Sequence, residues 1–370
     1  DAAESAFKAM CHAEYRGFFH IGMVTRNQRN AIIQHGTMTM VRRELLQRIG
    51  WSEWCITEDA ELGLRILDEG YATTYIARSY GRGLMPDTFL DFKKQRSRWA
   101  FGAMQILRRH FDALIHGRDT GLTAGQRYHF VAGWLPWLAD GFNLLVNLAA
   151  LVWSLVMVLF PRHIEPPLML FSVLPLSLFL FKLVKLLHLY RARVGATFTQ
   201  TIAAAIAGLG LSHTVGSAML SGFVNKDRPF FRTPKRTTRH AWLQSLAAAR
   251  EEAVLMCGLW VAAFAVSSIP QMDGDQPGLV GSPDLTVWVT VLLVQSIPYA
   301  AAVIVSLVSS LQLRGDWIGE ARDPVFDASA AASEPDPDSI ATGTSTLPVG
   351  SLARNNGGAL PATAKLDSAK

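Results

Sequence analysis

Thr57, Glu58 and Asp59 stand together in the stretch CITEDAELGLRILDEGY, residues 55 to 71, at the start of a run that reads as a helix closed by Gly70. A carboxylate at a helix N-terminus stays ionised and points out of the fold, as a general base must. The same placement also serves a plain structural end, because Thr57 or Asp59 caps the helix and the acids favour its positive pole. Taken alone, the stretch leaves both readings open.

A second group lies in DFKKQRSRWAFGAMQILRRH, residues 91 to 110. Gln95, Arg98 and Trp99 fall at i, i+3 and i+4, which puts an amide, a guanidinium and an indole on one helical face. Arginine matches the oxygens of a phosphate and neutralises a departing diphosphate. An indole gives a flat wall for the C–H face of a sugar and one donor for a hydroxyl. The competing reading is an amphipathic helix on anionic lipid, with Lys93, Lys94, Arg96, Arg108 and Arg109 as headgroup contacts.

These residues need elements to hold them. Residues 1–127 read as a soluble α/β layer: a strand-like run at 31–41, a helix at 42–49, the helix after Thr57, and a β-rich segment at 71–77. Asp87 or Thr88, following Pro86, caps a longer helix that reaches about His110.

The remainder is apolar. Half of the 370 residues are hydrophobic and 18% are charged, the balance of a membrane protein, and the net charge of +5 gathers beside apolar runs rather than forming a nucleic-acid surface. Residues 128–315 form an all-α multi-pass region with spans at about 138–160, 168–190, 252–270 and 285–311. Arg191 and Arg193, and the basic loop at 225–240, belong on the cytoplasmic side, while the acidic connection at 271–284 belongs outside. Both basic loops then lie on one side only if residues 197–221 return the chain as an interfacial or re-entrant segment. Residues 316–370 form a cytoplasmic tail, too poor in large apolar side chains from about 322 onward to order itself. Cys11, Cys55 and Cys257 are odd in number and far apart, which argues against a disulfide framework or a zinc site. The chain opens at Asp1 with no basic-then-apolar leader, and reads as a fragment whose upstream part is missing.

TED at 57–59, QRSRW at 95–99 and the apolar spans that follow together resemble the membrane-embedded processive family-2 glycosyltransferases of the cellulose-synthase type, bacterial β-glucan synthases among them. The resemblance covers roughly residues 10–315 and implies the C-terminal part of a GT-A-type α/β domain. It makes Asp59 the general base, with Glu58 beside it and Thr57 in the same motif. Gln95, Arg98 and Trp99 match the Q-x-x-R-W motif that binds the nucleotide diphosphate and the acceptor end of the glucan. QHGTMTMVRR at 34–43 looks like the acceptor-site strand, so His35, Gly36 and Thr37 are expected to line the sugar site. FFRTPK at 230–235 looks like a gating loop, with Arg232, Thr233 and Lys235 as its candidates.

The family's donor half does not appear. D-x-D occurs only at Asp273–Asp275 and Asp336–Asp338, neither in a suitable place, so no metal ligand is assigned in this chain, and the Mg2+ or Mn2+ that the family uses is expected on ligands upstream. The function implied is inverting transfer from a nucleotide sugar, UDP-glucose first, to a growing β-glucan polysaccharide acceptor that is passed across the inner (plasma) membrane. The implied partners are the sugar donor, the acceptor and the lipid bilayer, with no nucleic acid. An amino-sugar polymer synthase, a lipid-carrier glycosyltransferase and a non-catalytic membrane subunit remain open.

Overall fold

The computed structural model describes residues 4–77, 81, 83–167, 169–225, 247–269, 283–311, 313–315 and 318. Ten helices carry the architecture of these residues. They are α1 (Ala6–Gly17), α2 (Arg43–Ile49), α3 (Glu58–Asp68), α4 (Phe89–Arg109), α5 (Ala124–Leu159), α6 (Met169–Leu189), α7 (Phe198–Gly210), α8 (Ser212–Val224), α9 (Arg250–Ser267) and α10 (Pro283–Leu311). A π-helical turn, Phe18–Met23, carries α1 on into a last turn at Val24–Asn27.

The expected α/β layer is not there: no strand occurs among the described residues. The physical reason is visible at 71–77. That segment is extended, but the amides of Thr73 and Tyr75 donate to the side-chain oxygens of Asn30 and Asn27, each at 2.7 Å. Two asparagines at the end of the first helical layer occupy the groups that a neighbouring strand would need. Residues 31–41 are likewise extended without a ladder, with Ala31 and Ile32 buried and residues 36–40 exposed.

The helices form for reasons legible in their ends. Thr88 caps α4, its hydroxyl accepting from the amide of Asp91 at 3.2 Å. Thr123 and Gln126 close a capping box on α5, and Thr197 and Gln200 do the same on α7. Gly50 and Gly70 follow α2 and α3 with φ of +70° and +83°, the left-handed conformation that glycine adopts without strain.

A single apolar core joins the motif-bearing helices to the apolar ones. Phe7, Met10 and Cys11 of α1 and Phe92, Phe101 and Met104 of α4 pack with Phe130 and Trp134 of α5, Ala203 and Ala207 of α7, Val215 and Met219 of α8, and Val305 of α10. α8 lies against both α4 and α5, and α7 against α1 and α10. A second cluster joins Met157 of α5, Leu259 of α9 and Val291 of α10.

Among the described residues three segments are long and apolar enough to cross a membrane: Ala124–Leu159, Phe198–Val224 and Asp284–Leu311. Phe198–Val224, where the interfacial segment is expected, is two helices meeting at Leu211, and 67% of its most apolar window is buried in the protein. Only 28% of the corresponding window of α5 is buried, and Phe142, Val152 and Leu155 stand open on its outer face. Apolar surface of that extent on a helix suits contact with lipid.

Candidate functional site

The site is built where the start of α3 meets the middle of α4. Thr57 is buried at the first cap position of α3, but its side chain makes no capping bond there. It is pressed instead against Gly102 of α4, where an added Cβ would stand 2.6 Å from Thr57 Cγ2 and 2.8 Å from its Cβ. Gly102 lies three and four residues beyond Trp99 and Arg98, one helical turn of about 5.4 Å.

Gln105, in the next turn of α4, clasps the chain that leads into the motif. Its Oε1 accepts from the Ile56 amide at 2.9 Å and its Nε2 donates to the Trp54 carbonyl at 3.1 Å. Cys55 beside it is buried, and burial pushes its thiol up to about 11, against the hydrogen bond to Thr57, so it stays neutral near pH 7. Glu58 is exposed and Asp59 half-buried, with Asp59 Oδ1 accepting from the Ala60 amide at 2.8 Å.

The segment expected to line the sugar site does reach the acidic pair. A Cβ at Gly36 would lie 3.1 Å from Asp59 Oδ2, so the absence of a side chain there lets the carboxylate and the loop approach. His35 packs edge-on against Phe18 and Phe19 at 6.3 and 5.4 Å. Burial holds its pKa below 6.5 despite the pull of Asp59, so the ring is neutral near pH 7, and its Nδ1 is buried without a hydrogen-bond partner. Thr37 is exposed, in a turn closed by Thr39 Oγ1 donating to the His35 carbonyl at 2.6 Å.

On α4, Gln95 and Trp99 meet α1. The Tyr15 hydroxyl donates to Gln95 Oε1, and the Tyr15 ring stands edge-on to Trp99 at 6.0 Å and 76°. Arg96 is buried, ion-paired with Glu14, and lies 4.6 Å from the Tyr15 ring and 4.5 Å from that of Trp99. Arg98 is half-buried on the same stretch of helix.

This arrangement gives protein partners to three of the five α4 cations read as headgroup contacts, while Lys94, Arg108 and Arg109 stay exposed. Arg96 is committed to Glu14, Lys93 to Glu252 at 2.6 Å, and Arg108 to the carbonyls of Gly222 and Asn225 at 2.9 and 3.0 Å. Lys94 is half exposed. A cleft of about 430 Å³ opens farther along, at the C-terminal end of α4, between Trp51, Trp54, Glu61, Arg65, Arg109 and His110, and includes none of the motif residues.

Arg232, Thr233 and Lys235 lie outside the described residues, as do Asp273–Asp275 and Asp336–Asp338. Among the described residues no three His, Cys, Asp or Glu side chains gather as ligands for a metal, so the Mg2+ or Mn2+ expected of the family finds no fit there. Sequence reasoning missed Gly102, Gln105, Glu14 and Tyr15. Gly102 alone carried a local signal, because a glycine inside a helix is less favourable than alanine by about 0.5–1 kcal/mol.

Comparison with known proteins agrees with the motifs. Residues 6–191 match the family model described as glycosyl transferase family group 2. The chain is 35% identical over 98 residues to the cellulose synthase catalytic subunit [UDP-forming] of Komagataeibacter sucrofermentans, covering 26% of this chain and 12% of that protein. It is 34% identical over 102 residues to the protein of the same description from Xanthomonas axonopodis pv. citri, and 37% over 99 residues to that from Pseudomonas fluorescens, each match covering 13% of the relative. The chain therefore spans about an eighth of the length of these relatives. With the family model matched over half of its residues, this chain belongs to glycosyl transferase family group 2.

Proposed function

We propose that the chain is the acceptor-side and membrane part of an inverting glycosyltransferase that extends a β-glucan from a nucleotide sugar, UDP-glucose first, and passes the product across the inner membrane. One observation carries the reading: Gly102 and Gln105 fix the start of α3, with Thr57, Glu58 and Asp59, onto the same helix that bears Gln95, Arg98 and Trp99. The similarity to catalytic subunits described as UDP-forming supports a uridine nucleotide as leaving group.

In this reading Asp59 takes the proton from an acceptor hydroxyl, whose oxygen bonds to the anomeric carbon of the donor as the bond to the diphosphate breaks. The diphosphate departs with the electron pair, and the Arg98 guanidinium offsets its charge. Trp99 walls the terminal sugar, and the neutral His35 and Gly36 flank it from the other side of Asp59. Glu58 stands beside Asp59, exposed at the helix start.

Membrane insertion is supported by the three long apolar segments. The basic runs at 191–193 and 226–239 against the acidic stretch 273–284 support a cytoplasmic site, with residues 1–127 as the transfer part, 128–315 as the membrane part and 197–221 as an interfacial layer between them. Arg232, Thr233 and Lys235 are then cytoplasmic and available to close over the donor.

The test is Asp59→Asn in the full-length protein in membranes, supplied with radiolabelled UDP-glucose. Loss of polymer with donor binding retained supports the base. Near-normal turnover rejects it, and preference for UDP-N-acetylglucosamine moves the reading to an amino-sugar polymer.

A further inference from the structure

The helix that carries Gln95, Arg98 and Trp99 does not hold those side chains by itself. α1 lies against its N-terminal half, and two polar side chains of α1, Glu14 and Tyr15, meet residues of the QRSRW stretch. The Tyr15 hydroxyl donates to Gln95 Oε1, its ring meets the edge of Trp99 at 6.0 Å, and Glu14, its neighbour, pairs with Arg96. Arg96 is 6% exposed and lies over both rings of that pair, 4.6 Å from Tyr15 and 4.5 Å from Trp99. α1 is in turn fixed from behind, where the Tyr190 hydroxyl donates to the Ala13 and Glu14 carbonyls at 3.3 and 3.2 Å.

A carboxamide has one acceptor oxygen and one donor nitrogen, and a hydrogen bond to either sets the orientation of both. When Tyr15 donates to Oε1, the acceptor of the Gln95 amide is taken, and its two N–H groups are what it has to offer a ligand. A donor pair in that place suits a diphosphate or hydroxyl oxygen, and the flipped amide would present an acceptor to an anion instead. Burial pushes the Tyr15 phenol well above its ordinary 10, so its proton is present throughout the physiological range.

We infer that Tyr15 is a positioning residue for sugar transfer: its hydroxyl orients the Gln95 amide as a donor, and its ring, with the Arg96–Glu14 pair, fixes the plane of Trp99. Arg96, the second residue of QRSRW, is a second positioning residue, distinct from Arg98, and acts through the faces of Tyr15 and Trp99 rather than on phosphate. This inference rests on the reading of Gln95 and Trp99 as substrate contacts.

The experiment is a double-mutant cycle on the full-length protein, reading kcat and KM with radiolabelled UDP-glucose. Tyr15→Phe keeps the ring and its packing while removing the hydroxyl, and is expected to lower kcat/KM about tenfold, the worth of one hydrogen bond. In a Gln95→Leu background the same change is expected to cost less than about twofold, because the amide it orients is gone. An equal loss in both backgrounds would mean that the hydroxyl acts on the fold and not through Gln95, and would overturn the inference. So would an unchanged kcat/KM in Tyr15→Phe alone. Gln95→Leu with unimpaired synthesis would overturn the reading of the motif itself, an outcome distinct from the other two. Arg96→Lys supplies the second readout: it keeps the charge beside Glu14 but loses the flat guanidinium. It is expected to raise KM for the acceptor oligosaccharide more than KM for UDP-glucose, and equal changes in both would count against the Trp99 role.

Discussion

Thr57 of α3 and Gly102 of α4 touch so closely that no side chain fits between them: a Cβ at 102 would meet Thr57 Cγ2 at 2.6 Å. The contact sets how far the acidic pair stands from the helix of Arg98 and Trp99, so a methyl group at 102 is expected to push α3 outward. Overpacking of this kind costs about 1–3 kcal/mol. Gly102→Ala should lower the thermal midpoint and cut polymer synthesis more than tenfold. Thr57→Ala, which deletes the hydroxyl and methyl group in the way and leaves only the Cβ at 2.8 Å, should restore part of both in the double variant. Measured unfolding and turnover of the four proteins check this.

Gln105 makes a different prediction, because it satisfies two backbone groups at once. Gln105→Leu leaves the Ile56 amide and the Trp54 carbonyl without partners in a part-buried place, at about 1–3 kcal/mol. The expected result is faster hydrogen exchange at Ile56 and lower kcat, with little change in donor KM. Exchange that is unchanged at Ile56 would show that the clasp is unimportant.

Trp99 separates an enzyme from a passive membrane subunit. Trp99→Ala should abolish polymer formation while leaving the amount of protein in the membrane fraction unchanged, since the neighbouring cations Lys93, Arg96 and Arg108 are held by protein partners. Retained synthesis with altered membrane association would favour the subunit.

Glu61 predicts a pH dependence of stability. Burial raises its pKa, but hydrogen bonds from His110, Ser52 and Arg65 outweigh it and hold the carboxyl below the ordinary 4.5. A depressed folded pKa gives stability that is complete above the unfolded value and is lost as pH falls through the folded one. The thermal midpoint of the protein should therefore drop below about pH 4.5, and Glu61→Gln should flatten that drop while lowering the midpoint at pH 7. A midpoint in the variant that still falls with the same slope would assign the acid sensitivity elsewhere.

Much of the site was legible in the chain because its signals are local. The acids after Thr57, the i, i+3, i+4 spacing of Gln95, Arg98 and Trp99, and the cap at Thr88 all lie within one or two turns of helix. The partners that aim them are not local. Tyr15 is 80 residues from Gln95 and Gln105 is 49 from Ile56, distances at which no spacing rule operates. The strands failed for a related reason. Tyr71 to Ala77 has the alternation of a strand, but alternation describes one ribbon, and a sheet needs a second to bond with it. Here Asn27 and Asn30 took those bonds. Phe198–Val224 shows composition and packing at odds: its length and hydropathy suit a bilayer, while Gln200, Thr201 and Ser212 are buried inside the protein.

Arg108 gives α4 a further property. The same helix that abuts Thr57 at Gly102 holds, one and a half turns later, the last carbonyls of α8 at Gly222 and Asn225. From Arg98 to Arg108 is ten residues of rigid helix, about 15 Å by helical rise. A tilt of α4 near Arg98 would therefore also displace the point where the chain leaves α8, because Arg108 ties the two helices together.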